Sequence, residues 1–270
     1  MDARLSALFV VAGGSVIGAD HRSVLRNNQD AFALYAGDDG IVAVVTDGCS
    51  QGRFSEVGAR LGAAWLSRHV PAIARETLPA EGIACAATTG LIAYLGDVVR
   101  GLSAEVDLAG AINDMLLFTF VVAVVRSDRA LVFGVGDGAY AVDGRTVVLD
   151  PGPDNAPPYA AYGLLGPAPE PRVHFTCETG ALTSLVIATD GAIDLIANAS
   201  QTLADGTLQG GLDRFAEDPR YARNASLVQK RLVVIGERNG RLRDDTTVAL
   251  IRRHVSRPAL PRKEDPWTSS

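Results

Sequence analysis

An α+β fold is predicted for this chain of 270 residues by three observations. Short apolar runs recur as meanders joined by Asp-Gly and other glycine turns. Long helical stretches come in pairs. The regular strand–helix–strand alternation of a doubly wound sheet is missing, so strands and helices are segregated.

The elements follow in order. Residues 7–19 and 31–36 read as strands around the polar segment ADHRSVLRNNQD, and IVAVVT (41–46) is a third strand. A helix is predicted from Phe54 to Ala74, with Gly58, Gly62 and Ala63 on one face, and a second over 82–104. The apolar strand 116–126 leads through SDR into LVFGVGDGAYAVDGRTVVLD, which reads as strands broken by two Asp-Gly turns. Residues 150–171 are rich in Pro, Gly and Tyr and read as a surface flap. Strand 184–189, a helix after Asp190, a polar helical stretch near 212–230 and the strand TTVALIRR complete one domain, residues 1–255. The tail 256–270 reads as disordered.

Composition limits what the chain can do. Hydrophobic residues make up 47%, enough for a sizeable core. A net charge of −6 argues against nucleic-acid or anionic-membrane partners. The longest apolar run, LLFTFVVAVV (116–125), is too short to span a bilayer. Cys49, Cys85 and Cys177 are widely spaced and odd in number, which predicts free thiols and a cytoplasmic setting.

Several motifs fail on context. GVGDGA (134–139) fits a dinucleotide fingerprint, but a strand follows it where a helix N-terminus is needed. The four histidines show no zinc-site spacing. GCSQG (48–52) matches a nucleophile elbow around Ser50, with Asp190 and His254 following in triad order. That reading makes the chain a serine hydrolase, but leaves Asp47 and DDTT without a role.

The stronger signal is a set of aspartates at strand ends: Asp30, Asp47, Asp190 and the pair Asp244-Asp245. A single Asp-Gly is most simply a solvated turn. Carboxylates gathered at one sheet rim repel one another and are stable mainly when hard cations neutralise them. Mg²⁺ and Mn²⁺ suit an all-oxygen site.

With NNQDAF, TDGCSQGRFSEVGA, VGDGAYAV, LVIATDGAID and DDTTVAL in this order, the chain resembles the metal-dependent protein phosphatases (PPM, type 2C) from Gly13 to Arg253. The resemblance implies a central antiparallel β-sandwich flanked by helix pairs, in four α-β-β-α layers. It implies two Mn²⁺ or Mg²⁺ ions, with Asp47 bridging them, the Gly48 carbonyl on one, and Asp190 and Asp244 on the other. Asp30 falls beside them as a catalytic residue. Asp114 and Asp194 fall where some members hold a third ion with Asp190.

The implied reaction is hydrolysis of phosphoserine or phosphothreonine in proteins by a metal-activated water, with a cognate Ser/Thr kinase as the opposing partner. Two positions depart from the pattern. Gln29 stands where many relatives carry glutamate. Leu25 stands where the phosphate-binding arginine lies, leaving Arg26, Arg22 and His21 as substitutes. These departures frame the rival of a pseudophosphatase that binds phosphoproteins without turnover.

Overall fold

The computed structural model describes residues 4–254 except 103–106, 154–155 and 239. The expected tail 256–270 lies outside the described residues. Ten strands form two five-stranded sheets, each antiparallel throughout. In chain order they are β1 (Phe9–Val16), β2 (Asp30–Ala36), β3 (Ile41–Gly48), β4 (Phe118–Val125), β5 (Arg129–Val135), β6 (Gly138–Val142), β7 (Arg145–Leu149), β8 (Arg172–Glu178), β9 (Ser184–Ala188) and β10 (Thr246–Arg253). One sheet runs β1-β10-β9-β6-β7 and the other β2-β3-β4-β5-β8.

The helices are α1 (Leu5–Leu8), α2 (Ala19–Ser23), α3 (Ser55–Arg75), α4 (Ala80–Arg100), α5 (Leu108–Met115), α6 (Ala192–Ala197), α7 (Leu212–Glu217), α8 (Arg220–Arg223) and α9 (Ser226–Val233). Three apolar cores separate four layers. On β3, Ile41, Ala43 and Val45 point between the sheets, where they meet Val121, Ala123, Ile187 and Ile251. The alternate residues Val42 and Val44 face α3 and α4, against Leu66, Val70, Leu91 and Leu95. On the far side, Val186, Val248 and Leu250 pack beneath α6, α7 and α9 through Leu195, Phe215 and Leu232. The inner strands are buried on both faces, so they read as continuous apolar runs where a half-exposed strand would alternate.

The expected four-layer sandwich is therefore observed. Four elements were not predicted, the short helices α1 and α2, the helix α5 and the edge strand β8. The segment 150–171 also differs from a simple surface flap. Its residues Ala160–Leu164 form a 3₁₀ turn, with Ala160 and Ala161 fully buried in the core beneath α4. The helix α4 is long and apolar enough in composition to cross a membrane. Here its apolar face, including Ile83, Ala87 and Leu91, is packed into that core.

Candidate metal centre

Strand register gathers the aspartates at one rim. Asp30 pairs with Asp47 across β2 and β3. Ala188 pairs with Val248 across β9 and β10, so Asp190 and Asp244 leave their strands at the same end. Ala139 of β6 also pairs with Ala188, which brings Asp137 beside them. Both sheets thus contribute acids to a polar cavity of about 150 Å³ lined by Asp47, Gly48, Asp137, Asp190, Asp244 and His21, among others.

The carboxyls show the electrostatic consequence. Burial, then the charge of Asp245, pushes Asp30 well above the usual carboxylate range. Burial and the charges of Asp30 and Asp190 do the same to Asp47. Asp190 lies close enough to Asp47 for its charge to raise Asp47 further. Burial also raises Asp190 and Asp244, and pushes Asp137 up to about 6 with help from Asp190. Five acids that cannot all ionise together suit divalent cations.

Two local features add to the fit. Asp30 Oδ2 accepts a 2.7 Å bond from the Thr189 hydroxyl, whereas its buried Oδ1 has no hydrogen-bond partner among the described residues. A Cβ on Gly48 would come within 2.8 Å of the Gln29 carbonyl and the Ser55 hydroxyl, so only glycine closes this turn.

Asp244 and Asp245 divide their work. Asp245 is 2% exposed and accepts from the Gly18 N–H at 2.7 Å and the Gln29 N–H at 2.6 Å, and it pairs with His21 Nδ1 at 2.9 Å. It ties the 18–29 loop to the start of β10. Asp244 keeps its side chain toward the cavity, and its ligand atoms lie within 4.8 Å of those of His21 and Asp245.

A second cavity, of about 300 Å³, adjoins the first and is lined by Asp20, Asp190, Asp194, Arg243 and Asp244. Asp194 lines this second cavity, its Oδ2 accepting the Arg243 N–H at 2.7 Å. Asp114 lines neither cavity, and its backbone carbonyl accepts the Phe54 N–H at 2.8 Å. The acid that does reach the site is Asp137, held on a turn whose flanking Gly136 and Gly138 have φ of +97° and +129°. It sits in the same GVGDGA that failed as a dinucleotide fingerprint, and its Asp-Gly spelling was the available signal.

Of the three phosphate-binding substitutes, His21 lines the cavity. Arg26 donates to the Ser50 carbonyl on the cavity wall. Arg22 is turned away, donating to the Ile17 carbonyl at 3.0 Å. The irregular backbone that Arg26 requires is present, because Leu25 has φ +57°. Gln29 is buried and turned inward, donating to the Ser55 hydroxyl at 2.6 Å and the Gly52 carbonyl at 3.2 Å. It holds the 48–55 turn in place.

The nucleophile-elbow reading is overturned. Ser50 is followed by an irregular segment before α3 begins at Ser55, and His254 lies past the far end of β10. An eight-residue strand spans about 26 Å, which no triad can bridge.

The family model described as Protein phosphatase 2C matches residues 17–229. A sequence comparison with curated proteins finds no match. Among solved structures, serine/threonine phosphatase Stp1 from Staphylococcus aureus aligns with 15% identity and a TM-score of 0.57, over 93% of this chain and 97% of that one. The catalytic domain of the serine/threonine phosphatase PstP, in complex with two manganese ions, aligns with 16% identity and a TM-score of 0.53, over 92% and 99%. A serine-threonine phosphatase 2C from Toxoplasma gondii gives 14% and 0.51, over 94% and 98%. These likenesses are of fold. With a family model spanning well over half its length, and with the ordered aspartates meeting at one rim, the chain belongs to the protein phosphatase 2C family.

Proposed function

We propose that this protein hydrolyses phosphoserine and phosphothreonine monoesters in proteins, with two Mn²⁺ or Mg²⁺ ions held at the shared rim of its sheets. The observation that carries this reading is the convergence of Asp30, Asp47, Asp137, Asp190 and Asp244, all with carboxyls raised by burial and by neighbouring acids.

Asp47, the Gly48 carbonyl, Asp190 and Asp244 would hold the two ions. Asp137 and Asp194, on either side of Asp190, would hold a third. Bound there, the cations make water nucleophilic at neutral pH and offset charge on the phosphoryl group. The unpartnered Oδ1 of Asp30, fixed by the Thr189 bond to its sister oxygen, orients a water or accepts its proton. Arg26 and His21 steady the phosphate against a wall of acids. Pro157 and Tyr159 of the 150–171 segment close the opposite wall.

The partners on this reading are phosphorylated proteins and an opposing Ser/Thr kinase. The setting we assign is cytoplasmic, supported by three free cysteines. The deciding experiment measures p-nitrophenyl phosphate and phosphopeptide turnover with Mn²⁺ and with EDTA. Turnover that needs the metal supports the reading. Phosphopeptide binding with no turnover at any metal concentration would favour the pseudophosphatase.

A further inference from the structure

The loop that carries His21 and Arg26 contains a misfit. Helix α2 ends on two bonds, Leu25 N–H to the Arg22 carbonyl at 3.2 Å and Arg26 N–H to the His21 carbonyl at 3.0 Å. This is the Schellman pattern, which places the residue after the C-cap in the left-handed region where glycine is favoured. Here that residue is a leucine, at φ +57° and 93% exposed. Its backbone is unfavourable by about 1 kcal/mol. At that exposure its side chain adds nothing to the core, and glycine would serve the fold better.

Leu25 does not stand alone. Its neighbour Val24 is exposed, and so are Phe54 and Val57 on the adjoining loop and first turn of α3. The two loops are tied by Arg26 to the Ser50 carbonyl, by Asn27 Nδ2 to Glu56 Oε1 at 2.9 Å, and by Gln29 to Ser55. Four exposed apolar side chains therefore stand on two segments that these bonds hold together, with the tie at Ser50 reaching the cavity wall. Arg26 and Arg53 are interspersed with them, and neither is in an ion pair among the described residues. Arg53 lies 5.5 Å over the Phe54 ring.

We propose that Val24, Leu25, Phe54 and Val57 form a docking rim for an apolar residue close to the phosphorylated serine or threonine of a protein substrate. The proposal rests on the phosphatase reading of the adjoining cavity and adds a sequence preference to it. Charge complementarity and continuity point to this occupant. The guanidiniums attract a phosphorylated segment, and Arg26 joins the rim to the cavity wall. An extended peptide advances about 3.3 Å per residue, so positions one to three from the phosphorylated residue sample the surface within about 10 Å of it.

The test uses phosphoserine peptides with leucine or alanine at each of those positions, on either side. Binding is read by fluorescence anisotropy and turnover by steady-state kinetics. Wild-type protein is expected to bind at least one leucine peptide about fivefold more tightly than its alanine partner. Leu25→Gly is expected to erase that preference, raise Tm, and leave p-nitrophenyl phosphate turnover unchanged. No preference in the wild type, or an undiminished one in Leu25→Gly, overturns the rim. A change of oligomeric state in Leu25→Gly with the peptide preference intact also overturns it, and assigns the patch to a second copy of the chain. Absence of p-nitrophenyl phosphate turnover in the wild type would instead count against the phosphatase reading, while anisotropy still reports on the rim.

Discussion

Asp30 and Asp47 stand directly opposite each other in the β2–β3 ladder, so two carboxyls raised by burial meet at one end of a strand pair. Like charges in that position destabilise a sheet. The rim is thus a stored repulsion that cations relieve, and it should be visible in stability as well as in activity.

Stability without metal should depend on pH with a definite sign. A carboxyl raised in the folded state contributes stability that is full below its unfolded value, near 3.9, and lost as pH rises through the folded value. For Asp137 that folded value is about 6, and Asp30, Asp47, Asp190 and Asp244 shift in the same direction. Tm measured in EDTA should therefore fall as pH rises from about 4 through about 6, and saturating Mn²⁺ should flatten the fall. A Tm in EDTA that rises over that range would contradict the shifts.

Asp47→Asn, Asp190→Asn and Asp244→Asn should each lower kcat by about a hundredfold or more, because each removes a ligand for the ions. All three should fold, and in EDTA near neutral pH their Tm should equal or exceed that of the wild type. Circular dichroism melts beside p-nitrophenyl phosphate kinetics decide the matter. Activity close to wild type in any of them removes that residue from the metal set.

The neighbouring acids Asp244 and Asp245 should separate cleanly. Asp245→Ala strands the Gly18 and Gln29 N–H groups and the His21 ring in a buried position, so it should destabilise the fold by about 3 kcal/mol. Asp244→Ala should cost little stability and nearly all activity. Urea unfolding of both variants in EDTA is the check, and equal losses of stability would mean that Asp244 is structural too.

A third ion, where one binds, should answer to Asp137 and Asp194 and ignore Asp114. Asp137→Ala and Asp194→Ala should lower kcat several-fold while leaving two Mn²⁺ in a titration. Asp114→Ala should change neither quantity appreciably, since its side chain lines neither cavity. Loss of a metal equivalent on mutating Asp114 would restore the expectation drawn from the resemblance.

Phosphate binding should fall on Arg26 with help from His21. Arg26→Ala should raise KM for a phosphopeptide about tenfold, a loss of ~1.4 kcal/mol. Arg22→Ala should have little effect on it, given that its guanidinium is committed to the Ile17 carbonyl. Kinetics on alanine variants of Arg26, Arg22 and His21 rank them. An effect confined to Arg22 would require the loop to rearrange on binding.

Much of the architecture was legible because its signals are local. The alternate residues of β3 divide between two cores, and the Asp-Gly at its end marks where the chain leaves the sheet. The misses have physical causes. Helix α5 spans eight residues and runs almost directly into the apolar strand β4, so its period is hard to separate from that of the strand. Strand β8 is an edge strand, half-exposed and preceded by a Pro-rich segment that hides its start. At the site, the difficulty was one spelling with two meanings. Asp143-Gly144 is a hairpin turn with φ of +48° and +85°, whereas the same pair at Asp137 feeds the cavity. Only the pairing of β6 with β9 distinguishes them, and that contact is remote in sequence. Asp114 was carried over by its place in the chain, and near the end of α5 it lines neither cavity.

The division of the acids between the two sheets has a consequence for how the molecule comes apart. Asp47 belongs to one sheet and Asp190 to the other, and ions held between them would close the long stretch of chain that separates the two. In a protein with no disulfide, such a tie is a removable cross-link, with the entropic effect on the unfolded chain that a covalent bridge would have. Pulled from its ends in the presence of Mn²⁺, the sandwich should resist as one body. In chelator its sheets should yield in separate steps, and amide protons along β3 and β9 should lose their shared protection together with the metal.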